Sequence, residues 1–231
     1  MQGKLILVPT PLDDESPLEP IAFKELTKAC EDHDIIAIED LKPGRRRWIS
    51  WGLPRDKVDS FVLYNEHTHL DHNKELLAQM KKGKNVFLLS DGGLPAFCDP
   101  GRELVDLCHK SNIRVTSTPF CNSISLAVAL SGLVPDRFFF AGFLPLEKAE
   151  REKDLKNLGQ LKDAIILMDT PYRLKRLLEE IDEKFPNREI FLGLDLNFPT
   201  EKCLRGYAKK ILMDLEDFKR EFIIILAPLG K

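Results

Sequence analysis

At 231 residues the chain is long enough for one large α/β unit or for two lobes of about 110 residues, and either buries a real core. Apolar residues at 43% and charged residues at 31% match a folded soluble domain and exclude a disordered or collagen-like chain. Lysine and arginine number 34 against 37 acidic residues, a net charge of −3, so any nucleic-acid contact must come from a local patch and not from a global positive field. The five cysteines (Cys30, Cys98, Cys108, Cys121, Cys203) are odd in number and form no CxxC pair, which argues against a disulfide framework and a thiolate zinc site and fits a reducing cytoplasm. The apolar run Leu5–Val8 stops at Pro9 and is too short for a signal peptide, and no stretch approaches the roughly 20 apolar residues of a membrane span.

Taken in chain order, short β-branched and apolar runs at Lys4–Val8, Ile35–Ile38, Ser60–Tyr64, Val86–Leu89, Val115–Thr118, Phe138–Phe140, Ala164–Met168, Ile190–Leu194 and Phe222–Leu226 predict strands buried on both faces. Between most of them lie segments of helical period: Ile21–Cys30, Leu70–Lys81, Arg102–Lys110, Ser123–Ser131, Lys148–Leu158 and Tyr172–Lys184. The alternation predicts an α/β architecture with mainly parallel sheets. A seam is expected around residues 112 to 122, where a strand runs into Pro119 and a polar turn at Cys121-Asn122-Ser123, dividing the chain into lobes 1–116 and 117–231. Residues Leu41–Lys57, with Pro43-Gly44, three arginines, two tryptophans and Pro54, read as a loop able to bind a partner.

The strongest local signal is Ser90-Asp91-Gly92-Gly93-Leu94-Pro95-Ala96-Phe97-Cys98-Asp99-Pro100-Gly101, between a buried strand and a helix. Ligands of open α/β sheets collect at the carboxyl ends of strands, and the paired glycines let a ligand approach the main chain. Asp91 is suited to accept hydrogen bonds from a ligand hydroxyl or amine. The plainer reading is a strand-to-helix turn with Asp99 as the helix N-cap.

This segment resembles the SDAGxPxxxDPG signature of the tetrapyrrole (corrin/porphyrin) methylase superfamily, most of all in its ribosomal RNA small subunit methyltransferase I branch. Further matches follow in order. Leu5–Pro11 resembles the opening LVPTP, Ile38-Glu39-Asp40 resembles AED, and Glu66-His67 resembles an EH after the third strand. Pro119–Ile124 stands at PGPSA, Ser131-Gly132-Leu133 at SGL, Pro135–Phe138 with Gly142–Pro145 at drFxFxGFLP, Thr170–Arg173 at ESPHR and Arg205-Gly206 at a late RG. The resemblance spans nearly the whole chain. It implies two α/β lobes with S-adenosyl-L-methionine in the cleft between them, usually in a homodimer, with the cofactor held largely by backbone groups. Carried over by position, the cofactor contacts are Pro11, Asp91, Gly92, Gly93, Leu94, Ser123 and Ile124, with Met168 a further candidate. The departures lie on the acceptor side: Leu41–Arg47 replaces TRHTR, Gly193–Thr200 replaces ARELTK, and Phe120 replaces a glycine of PGPSA.

Two other motifs carry rival readings. His67-Thr68-His69-Leu70-Asp71-His72 is a literal HxHxDH, a zinc-ligand pattern of hydrolases, but His109 is the only histidine after it, so the downstream ligands such a site needs are missing. Arg45-Arg46-Arg47 with Trp48 and Trp51 combines phosphate-gripping and base-stacking side chains, or is a solvated charge run beside two anchoring tryptophans. The resulting expectation is an S-adenosylmethionine-dependent methyltransferase acting on ribosomal RNA, with 2′-O-methylation as the reaction and no metal. A tetrapyrrole or other small-molecule acceptor is the alternative, followed by a zinc hydrolase and by a binding protein that has lost turnover. If the acceptor is a ribose hydroxyl, a base assists, and Glu39, Asp40, Glu66 and His67 are the candidates, with Arg173 a candidate for orienting an anionic substrate.

Overall fold

A computed structural model describes residues 2–120 and 122–229. The chain forms two compact units, Met1–Phe120 and Cys121–Lys231. Of the polar turn expected at Cys121-Asn122-Ser123, Cys121 lies outside the described residues.

The first unit runs β1 (Leu5–Val8), α1 (Pro20–Glu31), β2 (Ile35–Ile38), α2 (Leu41–Ser50), a 3-10 helix (Arg55–Ser60), β3 (Val62–Leu63), α3 (His69–Lys81), β4 (Val86–Leu89), α4 (Arg102–Lys110) and β5 (Val115–Ser117). Its sheet has the order β3-β2-β4-β1-β5, and every pairing is parallel. The continuous apolar runs follow from burial on both faces. Ile6, Val8, Ile36, Ile38, Phe87 and Leu89 pack with Ala22 and Leu26 of α1 and with Trp48 of α2. Their alternates Leu5, Ala37, Val86 and Leu88 pack with Leu76 and Met80 of α3 and Leu104 and Cys108 of α4.

Residues Leu41–Ser50 correct the expectation of a loop: they form α2, with Asp40 as N-cap accepting the Lys42 N–H at 3.0 Å. Pro43 is tolerated because it sits in the first turn, where backbone N–H groups lack helical partners in any case. A Cβ on Gly44 would lie 2.7 Å from Ile38 Cδ1, so the glycine lets α2 sit close on β2. Trp48 is not available to stack on a base. It is 1% exposed, donates Nε1–H to the Pro54 carbonyl at 2.8 Å and meets Phe61 edge to face at 5.0 Å.

The second unit runs α5 (Ser123–Ser131), β6 (Phe138–Phe143), α6 (Lys148–Leu158), β7 (Ala164–Met168), a 3-10 turn (Pro171–Arg173), α7 (Leu174–Lys184), β8 (Ile190–Leu194), β9 (Lys202–Gly206), α8 (Ala208–Asp214) and β10 (Phe222–Leu226). Its sheet order is β6-β7-β10-β8-β9. Here the parallel expectation holds for β6 with β7 alone, while β10 with β7, β10 with β8 and β8 with β9 are antiparallel. The short β8 to β9 connection leaves no room for a crossover helix, and that forces the antiparallel hairpin. One face of this sheet packs on Leu155, Leu177, Leu178, Ile181 and Ile211 from α6, α7 and α8, and the other on Ala127 of α5.

No helix among the described residues is long and apolar enough to cross a membrane.

Candidate active site

In the first unit the carboxyl ends of β2, β3 and β4 open onto one cavity of about 950 Å³. Glu39 and Asp40 leave β2, Asn65, Glu66 and His67 follow β3, and Asp91, Ala96, Cys98 and Asp99 belong to the turn after β4. Four of the residues singled out for catalysis (Glu39, Asp40, Glu66, His67) therefore share a wall with Asp91, as expected where parallel strands end.

The β4 turn is held from two sides. Thr10 and Gly93 exchange backbone hydrogen bonds at 2.9 Å in both directions, and the Thr10 hydroxyl donates to the Ser90 carbonyl at 2.9 Å. This ties the turn after β1 to the turn after β4. Gly93 has φ +92°, in the left-handed region that favours glycine, and Gly101 has φ +129° with Leu88 Cδ2 only 2.8 Å from where a Cβ would stand. At Gly92 and Gly93 the main chain carries no side chain of its own, with Leu12 Cδ2 3.4 Å from where a Cβ on Gly92 would stand, beside a half-buried carboxylate at Asp91.

Arg47, in the segment that reads as a partner-binding loop with either phosphate-gripping or solvated arginines, instead points inward, 9% exposed. Its Nη1 donates to the Pro11 carbonyl at 3.0 Å and to the Asp91 carbonyl, while Nε pairs with Asp14 at 2.7 Å. Arg46 also pairs with Asp14, and Arg45 with Asp59 at 3.7 Å. The three arginines are thus engaged inside their own unit. Pro11 and Asp91, two of the carried-over cofactor positions, are joined through one guanidinium. Nothing in the composition of the segment marked Arg47 as internal; the signal available was the Asp40 cap, which begins a helix whose inward face carries residues 47 and 48.

The site's electrostatics follow from crowding of carboxylates. The Asp91 backbone N–H donates to Glu39 Oε2 at 3.0 Å. Burial, reinforced by the charges of Glu39 and Asp40, raises the Asp91 carboxyl to about 6, with Arg47 opposing the rise. Asp99 also rises to about 6, through burial first and Glu39 second, with the Ser90 hydroxyl opposing the rise. The expected N-cap role for Asp99 is not what the structure has: Gly101 occupies the N-cap of α4 and no side chain caps it, which leaves Asp99 on the cavity wall.

The His67–His72 stretch does not converge. His67 is exposed beside Glu66, His69 Nδ1 faces the Asn65 carbonyl at 3.0 Å, and His72 turns toward Glu75. Among the described residues no group of three His, Cys, Asp or Glu is placed to hold a metal ion.

In the second unit, Ser123 is the first residue of α5, whose N-cap Asn122 accepts the Ser125 N–H at 2.9 Å. Ile124 and Met168, the latter ending β7, pack against the same apolar cluster. Arg173 donates to Asp169 at 3.0 Å, and Asp169 in turn receives Arg151 at 3.3 Å.

A profile described as Tetrapyrrole (Corrin/Porphyrin) Methylases matches residues 23–212. The chain is 31% identical over 226 residues to the ribosomal RNA small subunit methyltransferase I of Bacillus subtilis, covering 97% of this chain and 75% of that protein. It is 33% identical over 217 residues to the protein of the same name from Thermotoga maritima, covering 94% of each. Among solved structures, diphthine synthase superposes with a TM-score of 0.67 at 11% identity, over 97% of this chain and 89% of that one. Uroporphyrin-III C-methyl transferase from Thermus thermophilus, complexed with S-adenyl homocysteine, does so with a TM-score of 0.57 at 16% identity over 97% of each chain. These two show likeness of fold. With the family profile covering most of the sequence and the carboxyl-end cavity in the first unit, the chain belongs to the tetrapyrrole (corrin/porphyrin) methylase family and is an S-adenosylmethionine-dependent methyltransferase.

Proposed function

We propose that the protein methylates ribosomal RNA of the small subunit at a ribose 2′-hydroxyl. The observation that carries this reading is the identity of 31–33% along almost the entire chain to relatives named for that RNA, together with a polar, carboxylate-lined cavity at the expected strand ends.

The residues fit the cofactor. The Gly92-Gly93 backbone has no side chains of its own, with Leu12 against it, and the half-buried Asp91 carboxylate stands beside it to accept from hydroxyl or amino groups. On this reading Pro11, Asp91, Gly92, Gly93 and Leu94 of the first unit contact S-adenosylmethionine. Ser123, Ile124 and Met168 of the second unit are assigned to it on the family resemblance alone. When bound, the cofactor supplies an electrophilic sulfonium methyl group whose leaving group is a neutral thioether.

The protein's own contribution is positioning and proton handling. Holding an acceptor oxygen in near-attack geometry supplies most of the rate in such displacements. A hydroxyl must lose its proton as it is alkylated, and a carboxylate with a pKa near the working pH is the most effective acceptor. Asp99 on the cavity wall, raised to about 6 and free of capping duty, meets that requirement, with Glu39 beside it. Asp40 is committed to the α2 N-cap, which makes it a positioning residue.

We further propose that the protein works in the cytoplasm as a homodimer. Free thiols at Cys30, Cys98, Cys108 and Cys203 suit a reducing compartment. β6 ends its sheet and exposes Phe138, Phe139 and Phe143, an apolar edge that favours cover by a second copy.

The test is transfer of labelled methyl from S-adenosylmethionine to small-subunit RNA, to ribosomal particles and to a tetrapyrrole, followed by nucleoside mass spectrometry. A 2′-O-methylated nucleoside supports the reading. Label on the tetrapyrrole alone replaces it.

A further inference from the structure

Tyr172 is 81% exposed, an unusual position for a large aromatic ring, and it sits on a short turn that is rigidly built. Pro171 opens the 3-10 turn, the Arg173 N–H donates to the Thr170 carbonyl at 2.9 Å, and the Thr170 N–H donates to Asp169 Oδ1 at 2.9 Å. The Asp169 side chain is fully buried, and its two oxygens take Arg173 Nη1 at 3.0 Å and Arg151 Nη1 at 3.3 Å. Arg151, itself 1% exposed, is gripped by both oxygens of Glu180 at 2.8 and 2.9 Å, and Arg176 joins Glu180 at 2.9 Å.

The charges in this network do not cancel. Arg151, Arg173 and Arg176 face Asp169 and Glu180, three positive against two negative, and the surplus lies at the partly exposed Arg173 and Arg176. Two lysines extend it: Lys219 Nζ lies 5.9 Å from the Tyr172 ring centroid, and Lys175 Nζ lies 5.9 Å from that of Phe218. Among the opposing charges, Glu179 lies 4.0 Å from Lys175, Asp217 accepts the Lys219 N–H, and Glu216 is exposed on the same segment. An exposed ring beside an arginine held by Asp169 and two exposed lysines combines a stacking face with phosphate partners, the pairing of features that holds single-stranded nucleic acid.

We propose that the turn after β7 is a binding platform for single-stranded RNA, on which a base stacks against Tyr172 while Arg173, Lys175 and Lys219 take flanking phosphates. The platform rests on the reading that the acceptor is RNA. Asp169 and Arg151 act as positioning residues that keep Arg173 in one rotamer, so that little conformational freedom is lost on binding.

The experiment pairs two measurements on the full chain with S-adenosylmethionine present: fluorescence anisotropy with a fluorescein-labelled oligouridine across a salt series, and KM and kcat for methylation of small-subunit RNA. Variants are Tyr172→Ala, Tyr172→Phe and Lys219→Gln, each checked for native thermal unfolding. Tyr172→Ala is expected to weaken oligouridine binding about tenfold or more and to raise KM with kcat little changed, while Tyr172→Phe keeps the stacking face and stays near wild type. Lys219→Gln is expected to reduce the slope of log affinity against log salt by roughly 0.7. If the wild type methylates small-subunit RNA but Tyr172→Ala leaves both binding and KM unchanged, the platform is wrong and the acceptor reading stands. If the wild type neither binds the oligonucleotide nor methylates the RNA, both fall.

Discussion

Arg47 donates through Nη1 to the carbonyl of Asp91 and, from the same nitrogen, to that of Pro11, so one buried guanidinium joins the loop after β1 to the turn after β4. Replacing it with alanine leaves those carbonyls short of a donor and Asp14 short of its buried partner. Arg47→Ala is expected to cost the first unit about 2–4 kcal/mol in urea unfolding and to weaken S-adenosylmethionine in isothermal titration. Arg47→Lys restores the charge but cannot span Asp14 and both carbonyls, so it should recover less than half of the loss.

The raised carboxyls of Asp91 and Asp99 set a direction for pH dependence. Both move from 3.8 to about 6, so the contribution each makes to stability is fully present below about pH 3.8 and is lost as pH rises through about 6. Such a displacement is worth about 3 kcal/mol, reduced to roughly 1–2 kcal/mol by solvent in an open cavity. Asp91→Asn should therefore raise Tm relative to wild type at pH 8, with the gain fading toward pH 4. Calorimetry across that range checks it, and a gain that grows on acidification would refute the assignment. The same variant should bind S-adenosylmethionine less tightly, the usual exchange of function for stability at a strained site.

Gly101 and Gly52 both hold positive φ, at +129° and +79°, yet they differ in surroundings. A Cβ at Gly101 would meet Leu88 Cδ2 at 2.8 Å and Ala96 Cβ at 3.2 Å, whereas nothing lies within 4 Å of one at Gly52. Gly52→Ala should cost about 1 kcal/mol from backbone strain alone, and Gly101→Ala about 2–4 kcal/mol, as measured by urea midpoint. Only the second should also lower cofactor affinity, because it moves the turn that carries Asp91.

Phe139 is 47% exposed on β6, at the end of the second sheet. A charge there penalises cover by a second copy and leaves the core untouched. Phe139→Glu is expected to convert a dimer into a monomer in sedimentation velocity without loss of helical signal. A wild type that is monomeric at all concentrations would dispose of the homodimer.

Much of this molecule is readable from local pattern. The runs at Leu5–Val8, Val86–Leu89, Ala164–Met168 and Phe222–Leu226 are apolar at every position because both faces of their strands are covered, and that signal needs no tertiary knowledge. The turn from Ser90 to Gly101 was equally legible, since paired glycines after a buried strand mark a backbone that must be approached or bent. What local pattern did not reveal depends on which groups meet across the fold. Pro43-Gly44 reads as a break, yet it forms a helix because the first turn makes no use of a proline N–H and the glycine lets α2 pack on Ile38. Arg47 reads as a solvent charge, and becomes internal only because Asp14, Pro11 and Asp91 arrive from distant points in the chain to satisfy it. Asp99 reads as a helix cap and instead faces Glu39 and Asp91, while β10 settles antiparallel to its neighbours by sheet order, which no run of residues encodes. Periodicity and turn chemistry act over a few residues and are written in sequence; burial of charge, pairing direction and carboxylate crowding are long-range sums that exist only once the chain has closed on itself.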